Sequence, residues 1–230
     1  MHYHWEPLAE GVHRCRLPFL DVTVGVLQGS SAILLIDSGT TLLEASRIAE
    51  DVAVITGGAV THLVLTHHHF DHVLGSAGFP EAVSYGPPAV AAALTAGIGQ
   101  VRANALEYGA DTDAVARAVA AVRAPDHAVM TVDLDLGGRT VHVEHPGPGH
   151  TDHDLVVVVP GEHAVVFCGD LVEESADPAV DAGSDVRAWP HILDRVLALG
   201  GPDGVYVPGH GAVVDAAFVR RQRDWLSSRS

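Results

Sequence analysis

With 230 residues, 47% hydrophobic and 18% charged, the chain has apolar material for one substantial domain and little room for long disordered tracts. Its 13 basic residues are all arginine, against 29 Asp and Glu, for a formal charge of −16. The lack of lysine excludes Schiff-base and P-loop lysine chemistry, and the acidic balance argues against a nucleic-acid partner. Cys15 and Cys168 lack the spacing of a zinc knuckle or a redox pair. The opening residues hold no basic region followed by an apolar one, and no apolar run of about 18 residues follows, so a cytoplasmic protein without a membrane partner is expected.

In chain order, "GVHRCRLP", "VTVGVLQG" and "SAILLIDSG" read as strands bounded by turn residues. "TLLEASRIAEDVAVI" places Leu42, Leu43, Ala45, Ile48 and Val52 at helical intervals, and "THLVLT" is a short buried strand. From about Gly86 to Pro125 the text turns alanine-rich and helical, as an insertion over one end of a sheet would. "VMTVDLDLGG", "RTVHVEHPG", "DLVVVVPG" and "HAVVFCGD" resume strand character. "AWPHILDRVLALG" is a helix, "GVYVPGHG" a strand and loop, and "DAAFVRRQRDWLSS" a closing helix. Two blocks of strands with accompanying helices suggest a layered α/β sandwich.

The chemistry concentrates in "THHHFDH", Thr66 to His72, directly after a strand. On an extended backbone His67 and His69 point the same way, while Asp71 and His72 turn to a second point if a helix starts there. One metal cannot take all four side chains and keep an open catalytic position, but two metals can. Three further candidates stand at strand ends, each preceded by a glycine that lets the backbone turn: His150 in "HPGPGHT", Asp170 in "VVFCGD" and His210 in "VYVPGHG". His68 is expected to face away, and Cys168 to be a small buried hydrophobe.

"IDSG" around Asp37, "THHHFDH", "GHT", "CGD" and "PGHG" occur in an order that resembles the metallo-β-lactamase-fold hydrolase superfamily, with its HxHxDH motif. The resemblance implies a single-domain αββα four-layer sandwich over residues 1–230, with the alanine-rich segment at about 86–125 inserted. It implies that His67, His69 and His150 hold one metal, that Asp71, His72 and His210 hold the second, and that Asp170 bridges them. Asp37 would support the histidine loop without binding metal. Two zinc ions per chain are expected, with iron or manganese as alternatives, since imidazole and carboxylate ligands suit all three.

Two such metals, about 3.5 to 4 Å apart, share a hydroxide available near neutral pH, and Asp71 is expected to orient it or pass a proton to the leaving group. His153 and Glu173 are candidate pocket residues. The family's β-lactamases generally lack a bridging aspartate at the Asp170 position, and its glutathione-thioester hydrolases carry a helical domain where only 20 residues follow His210 here. The expectation is therefore a hydrolase of a small-molecule ester, lactone or thioester, its pocket shaped by the alanine-rich segment and mainly apolar. The alternative is a persulfide-dioxygenase-like oxidoreductase with one iron on His67, His150 and Asp170. A β-lactamase or a phosphodiesterase ranks below both.

Overall fold

A computed structural model describes residues 1–229. The chain forms two compact units, the first comprising residues 1–129 with 136–138, the second residues 130–135 and the described chain from Arg139 onward.

The first unit is built on a seven-stranded sheet in sequential order. Strands β1 (Trp5–Ala9), β2 (Val12–Arg16), β3 (Thr23–Gln28) and β4 (Ile33–Ile36) form an antiparallel meander. β5 (His62–Val64), β6 (Val83–Gly86) and β7 (His127–Ala128) then add in parallel. Parallel neighbours need crossovers, and helices supply them. α1 (Leu42–Thr56) links β4 to β5, and α2 (Phe70–Val73) with a 3-10 turn (Leu74–Gly78) links β5 to β6. The alanine-rich segment folds as α3 (Pro88–Ala93), α4 (Ile98–Glu107) and α5 (Thr112–Ala121) between β6 and β7.

α1 starts where the sequence dictates. The Thr41 hydroxyl accepts from the Glu44 amide, and the Glu44 carboxylate accepts from the Thr41 amide, a reciprocal cap. Ala45, Ile48 and Val52 are buried in a core shared with Val24, Val26, Leu35 and Leu63 of the sheet. Each fully buried aliphatic side chain contributes about 1.5–3 kcal/mol. On the same helix Asp51 is also buried, because its carboxylate accepts from the His2 amide (2.6 Å), the Tyr3 amide (2.8 Å) and the Trp5 indole (3.0 Å).

The second unit carries a five-stranded sheet, ordered β12-β11-β10-β9-β8. β8 (Thr131–Asp135), β9 (Thr140–Glu144), β10 (Val156–Val159) and β11 (Val165–Glu173) pair antiparallel. β12 (Val205–His210) returns parallel to β11 after α6 (Trp189–Gly200), and α7 (Ala216–Ser227) closes the unit. α6 buries Trp189, Ile192, Leu193 and Val196 against Val156, Val166 and Cys168 of the sheet. The Trp189 indole donates to the Leu171 carbonyl (3.0 Å). Cys168 is indeed a buried small hydrophobe, with burial pushing its thiol pKa well up.

Most of the expected strands and helices form at the expected places. Three strands were not singled out: β1, β6 and β7. β1 carries Pro7, which is tolerated because β1 is an edge strand, and β7 is only two residues long. Among the described residues no helix is long and apolar enough to cross a membrane.

Two consequences are testable. Asp51→Ala leaves a buried indole N–H and two backbone amides without their acceptor, so unfolding free energy should fall by about 2–3 kcal/mol in chemical denaturation. Burial raises the Asp51 pKa, but the three hydrogen bonds outweigh it and hold the carboxyl below its ordinary value. Its stabilisation is therefore present above the unfolded pKa of about 3.9 and is lost as pH falls through the lower folded pKa. His142 behaves oppositely. Asp133 (2.5 Å) and Glu144 (2.9 Å) each accept from one ring nitrogen, favour the imidazolium and raise its pKa. This contribution is complete below about pH 6.5 and fades as pH rises through the raised value. Melting temperatures at pH 6 and 9 should converge in His142→Gln relative to wild type, and an unchanged gap would remove His142 as the cause.

Candidate metal centre

In the first unit the chemistry sits just beyond the carboxyl ends of the parallel pair β4 and β5, where loops leave an α/β sheet and expose side chains. Asp37 follows β4 with a left-handed backbone (φ 59°), a conformation that aspartate tolerates better than most residues. In that position its buried carboxylate accepts from the Thr66 amide (2.8 Å), the Thr66 hydroxyl (2.9 Å) and His72 Nδ1 (2.9 Å). Ser38 holds the other end of the loop, since both its amide and its hydroxyl donate to the His72 carbonyl. His67 and His72 are fully buried, and Asp71 is nearly so.

These bonds fix which ring nitrogens carry protons. A carboxylate only accepts, so His72 holds its proton on Nδ1 and presents Nε2 as a lone pair. The Thr66 hydroxyl gives its one proton to Asp37 and therefore accepts from His67 Nδ1 (3.0 Å), which leaves His67 Nε2 as a lone pair as well. Neutral imidazoles with a defined free nitrogen are what a metal requires. His67 Nε2 lies 3.1 Å from His69 Nδ1, and Asp71 Oδ2 lies 3.7 Å from His72 Nε2. The two pairs belong to separate groups able to hold an ion.

The second unit repeats the logic with the parallel pair β11 and β12. His150, in the loop between β9 and β10, donates from Nδ1 to the Ala179 carbonyl (3.1 Å) and so presents Nε2. Thr151 beside it is pinned by Asp154, whose carboxylate accepts from the Thr151 amide (2.7 Å) and hydroxyl (2.8 Å). Asp170 Oδ2 lies 3.5 Å from His150 Nε2 and 3.4 Å from His210 Nε2. Gly169 places Asp170 by adopting φ 52°. Gly209 serves differently, since a Cβ there would run into Asp170 Oδ1 and the Gly169 carbonyl carbon. The glycine before His210 thus supplies room for the carboxylate rather than a sharp turn.

The donor set fits a metal on its own distances. Two ligand atoms on one tetrahedral zinc, with bonds of about 2.0–2.1 Å, stand about 3.3 Å apart. The four separations, 3.1, 3.7, 3.5 and 3.4 Å, bracket that value. Three of them exceed the ordinary N–H···O range of about 2.7–3.2 Å.

The expected pocket residues are placed as follows. His153 is buried, with Nδ1 2.6 Å from the Asp152 carboxylate. Glu173 is buried, its amide donating to Gln222 and its Oε1 accepting from the Ser175 amide and hydroxyl. Burial pushes the Glu173 carboxyl up, Asp170 adds to that, and His210 and Ser175 pull it back. Thr66 escaped the sequence reading, although it joins Asp37 to His67; a hydroxyl residue between a strand and the first histidine was the available signal. His68 belongs to neither candidate metal group, as expected. It lines a cavity beside His69, together with residues of α3 and α4.

A model of the metallo-beta-lactamase superfamily matches residues 17–210. The chain is 27% identical over 203 residues to a metallo-beta-lactamase type 2 of Bacillus cereus, covering 87% of this chain and 71% of that protein. It is 29% identical over 196 residues to a hydroxyacylglutathione hydrolase of Fuscovulum blasticum, covering 82% and 65%. Among solved structures, a metallo-beta-lactamase from Pontibacter korlensis superposes with a TM-score of 0.72 at 20% identity, covering 98% of this chain and 99% of that one. The chain belongs to the metallo-beta-lactamase superfamily and has its α/β fold.

Proposed function

We propose that this protein is a two-metal hydrolase of a small-molecule ester, lactone or thioester. One observation carries the reading: a single oxygen of Asp170 stands within 3.5 Å of Nε2 of both His150 and His210. An imidazole on each side of one carboxylate oxygen suits a carboxylate shared by two ions. With the family's ligand pattern, His67, His69 and His150 would hold one ion, Asp71, His72 and His210 the other, and Asp170 both. Zinc is the first choice of metal, with iron or manganese compatible with the same donors.

When bound, such a pair supplies a hydroxide near neutral pH and polarises the scissile carbonyl. The chain's own residues do the rest. Asp37 and Thr66 lock His67 and His72 in the tautomers that leave Nε2 available. Asp71 places Oδ2 3.7 Å from His72 Nε2, and its carboxylate passes the proton of the attacking hydroxide to the leaving oxygen, sulfur or nitrogen.

A single iron on His67, His150 and Asp170 would give Asp71, His72 and His210 no common task, though the buried Asp37 carboxylate holds His72 in a ligand-ready tautomer. Metal analysis separates the readings. Two ions per chain without oxygen uptake support the hydrolase; one iron with oxygen uptake overturns it. A panel of esters, thioesters, lactones, phosphodiesters and β-lactams then identifies the bond, and a protein that cleaves only β-lactams or phosphodiesters would refute the ester assignment.

Three variants test the residue roles. Asp37→Ala should weaken metal retention roughly 10–100-fold in competition with a chelator, and Asp170→Asn should bring stoichiometry below two. Asp71→Asn should lower kcat per bound metal by at least about 100-fold, and full activity at intact metal content would exclude Asp71 as the proton carrier.

A further inference from the structure

We propose that the cavity beside His69 receives the acyl group of the substrate, and that Gln100 and Asn104 of α4 select a short acyl chain bearing one hydrogen-bonding substituent. The proposal rests on the hydrolase reading for its chemistry, but on its own geometry for its place. The cavity is about 180 Å³ and lies wholly within the first unit. His69 forms part of its wall and also part of the candidate metal group with His67. A group lodged there therefore has one end at a histidine expected to ligate metal, where the scissile carbonyl of its substrate belongs.

Size and lining define what fits. Pockets for drug-sized ligands run to about 300–1,000 Å³, so this one accepts a fragment. At about 30 Å³ for each water-sized group, it holds roughly six. Phe70, Ala93 and Val101 give it apolar walls, and the Phe70 ring is backed by Tyr108 at 5.6 Å and Phe19 at 6.5 Å. The polar exception is specific. Gln100 and Asn104 stand four residues apart on α4, on one face of the helix, and Gln100 Nε2 donates to Asn104 Oδ1 (2.7 Å). That bond uses the donor of one carboxamide and the acceptor of the other. It leaves the Gln100 carbonyl to accept and the Asn104 NH2 to donate, a pair complementary to a hydroxyl or amide on the bound chain.

The test combines binding with turnover. Zinc-loaded, ¹⁵N-labelled protein titrated with 6-hydroxyhexanamide should show shifts at the backbone amides of residues 97–104 and at the Gln100 and Asn104 side-chain signals, while unsubstituted hexanamide should bind about tenfold more weakly and dodecanamide more weakly still. Asn104→Leu and Gln100→Leu should each weaken 6-hydroxyhexanamide binding about tenfold and leave hexanamide binding little changed, with metal content unchanged. Ala93→Leu, which fills the cavity, should move the optimum of an acyl-ester series from six carbons toward two. Gln100 is exposed, so its variant decides the matter if Ala93→Leu disturbs helix packing. 6-Hydroxyhexanamide binding that depends on Asn104, in a protein that cleaves no ester, thioester or lactone, would support the pocket and sink the hydrolase reading. Ester cleavage with unaltered chain-length and substituent preference in the variants, and no shifts in α4, would overturn the pocket and leave the hydrolase standing.

Discussion

The Asp37 carboxylate is the constraint on which the histidine loop depends. It is buried, it sits on a left-handed backbone, and it gathers donors from both ends of the segment Thr66 to His72. A buried carboxylate without partners is costly, so three donors are close to the minimum that makes this position tolerable. The strain and the burial are local expenses met by the ordering of two ring tautomers. Neither Asp37 nor Thr66 needs to touch an ion to affect how tightly one would be held, because partners that orient ligand imidazoles typically carry about 10–100-fold in metal affinity.

The second unit reaches a similar end by packing. Asp170 lies inside β11, a strand buried along its whole length, and its oxygens have room because the neighbouring strand carries glycine at position 209. His150 is fixed from outside the sheet by the Ala179 carbonyl and lies against Trp189, with ring centres 5.7 Å apart. A hydrogen bond sets the tautomer and a large apolar side chain sets the plane. The same division holds in the first unit, where Asp37 and Thr66 set the tautomer of His67 while the rings of His69 (4.7 Å) and His72 (4.3 Å) pack against it.

Much of this was legible before any coordinates, for physical reasons that differ from residue to residue. "ILLI" and "VVVV" read as buried strands because nothing polar interrupts them, and α1 read as a helix because its apolar residues recur at helical spacing. β1 did not, because "WEPLA" carries a proline and shows no alternation over enough residues; only its edge position makes it viable. At the centre, His67, His69, Asp71 and His72 were visible through residue type, spacing and place after a strand. Gly209 was visible too, but for the wrong reason, since sequence cannot distinguish a glycine needed for its backbone angle from one needed for the space its side chain would fill.

Substrate choice is harder to read because the groups that carry it are chemically ordinary. A metal ligand must be one of a few residue types with a defined lone pair, so the text shows it. Gln100 and Asn104 are exposed or half-buried carboxamides in an alanine-rich helix, and by composition they look like any solvated face. What gives them meaning is the cavity that α4 shares with His68 and His69, more than thirty residues earlier in the chain. That separation also frees substrate choice from the geometry of the ligands. The loops that hold metal answer to bond lengths of about 2 Å and tolerate little change, whereas a helix inserted between β6 and β7 can exchange side chains on one face without disturbing a single ligand.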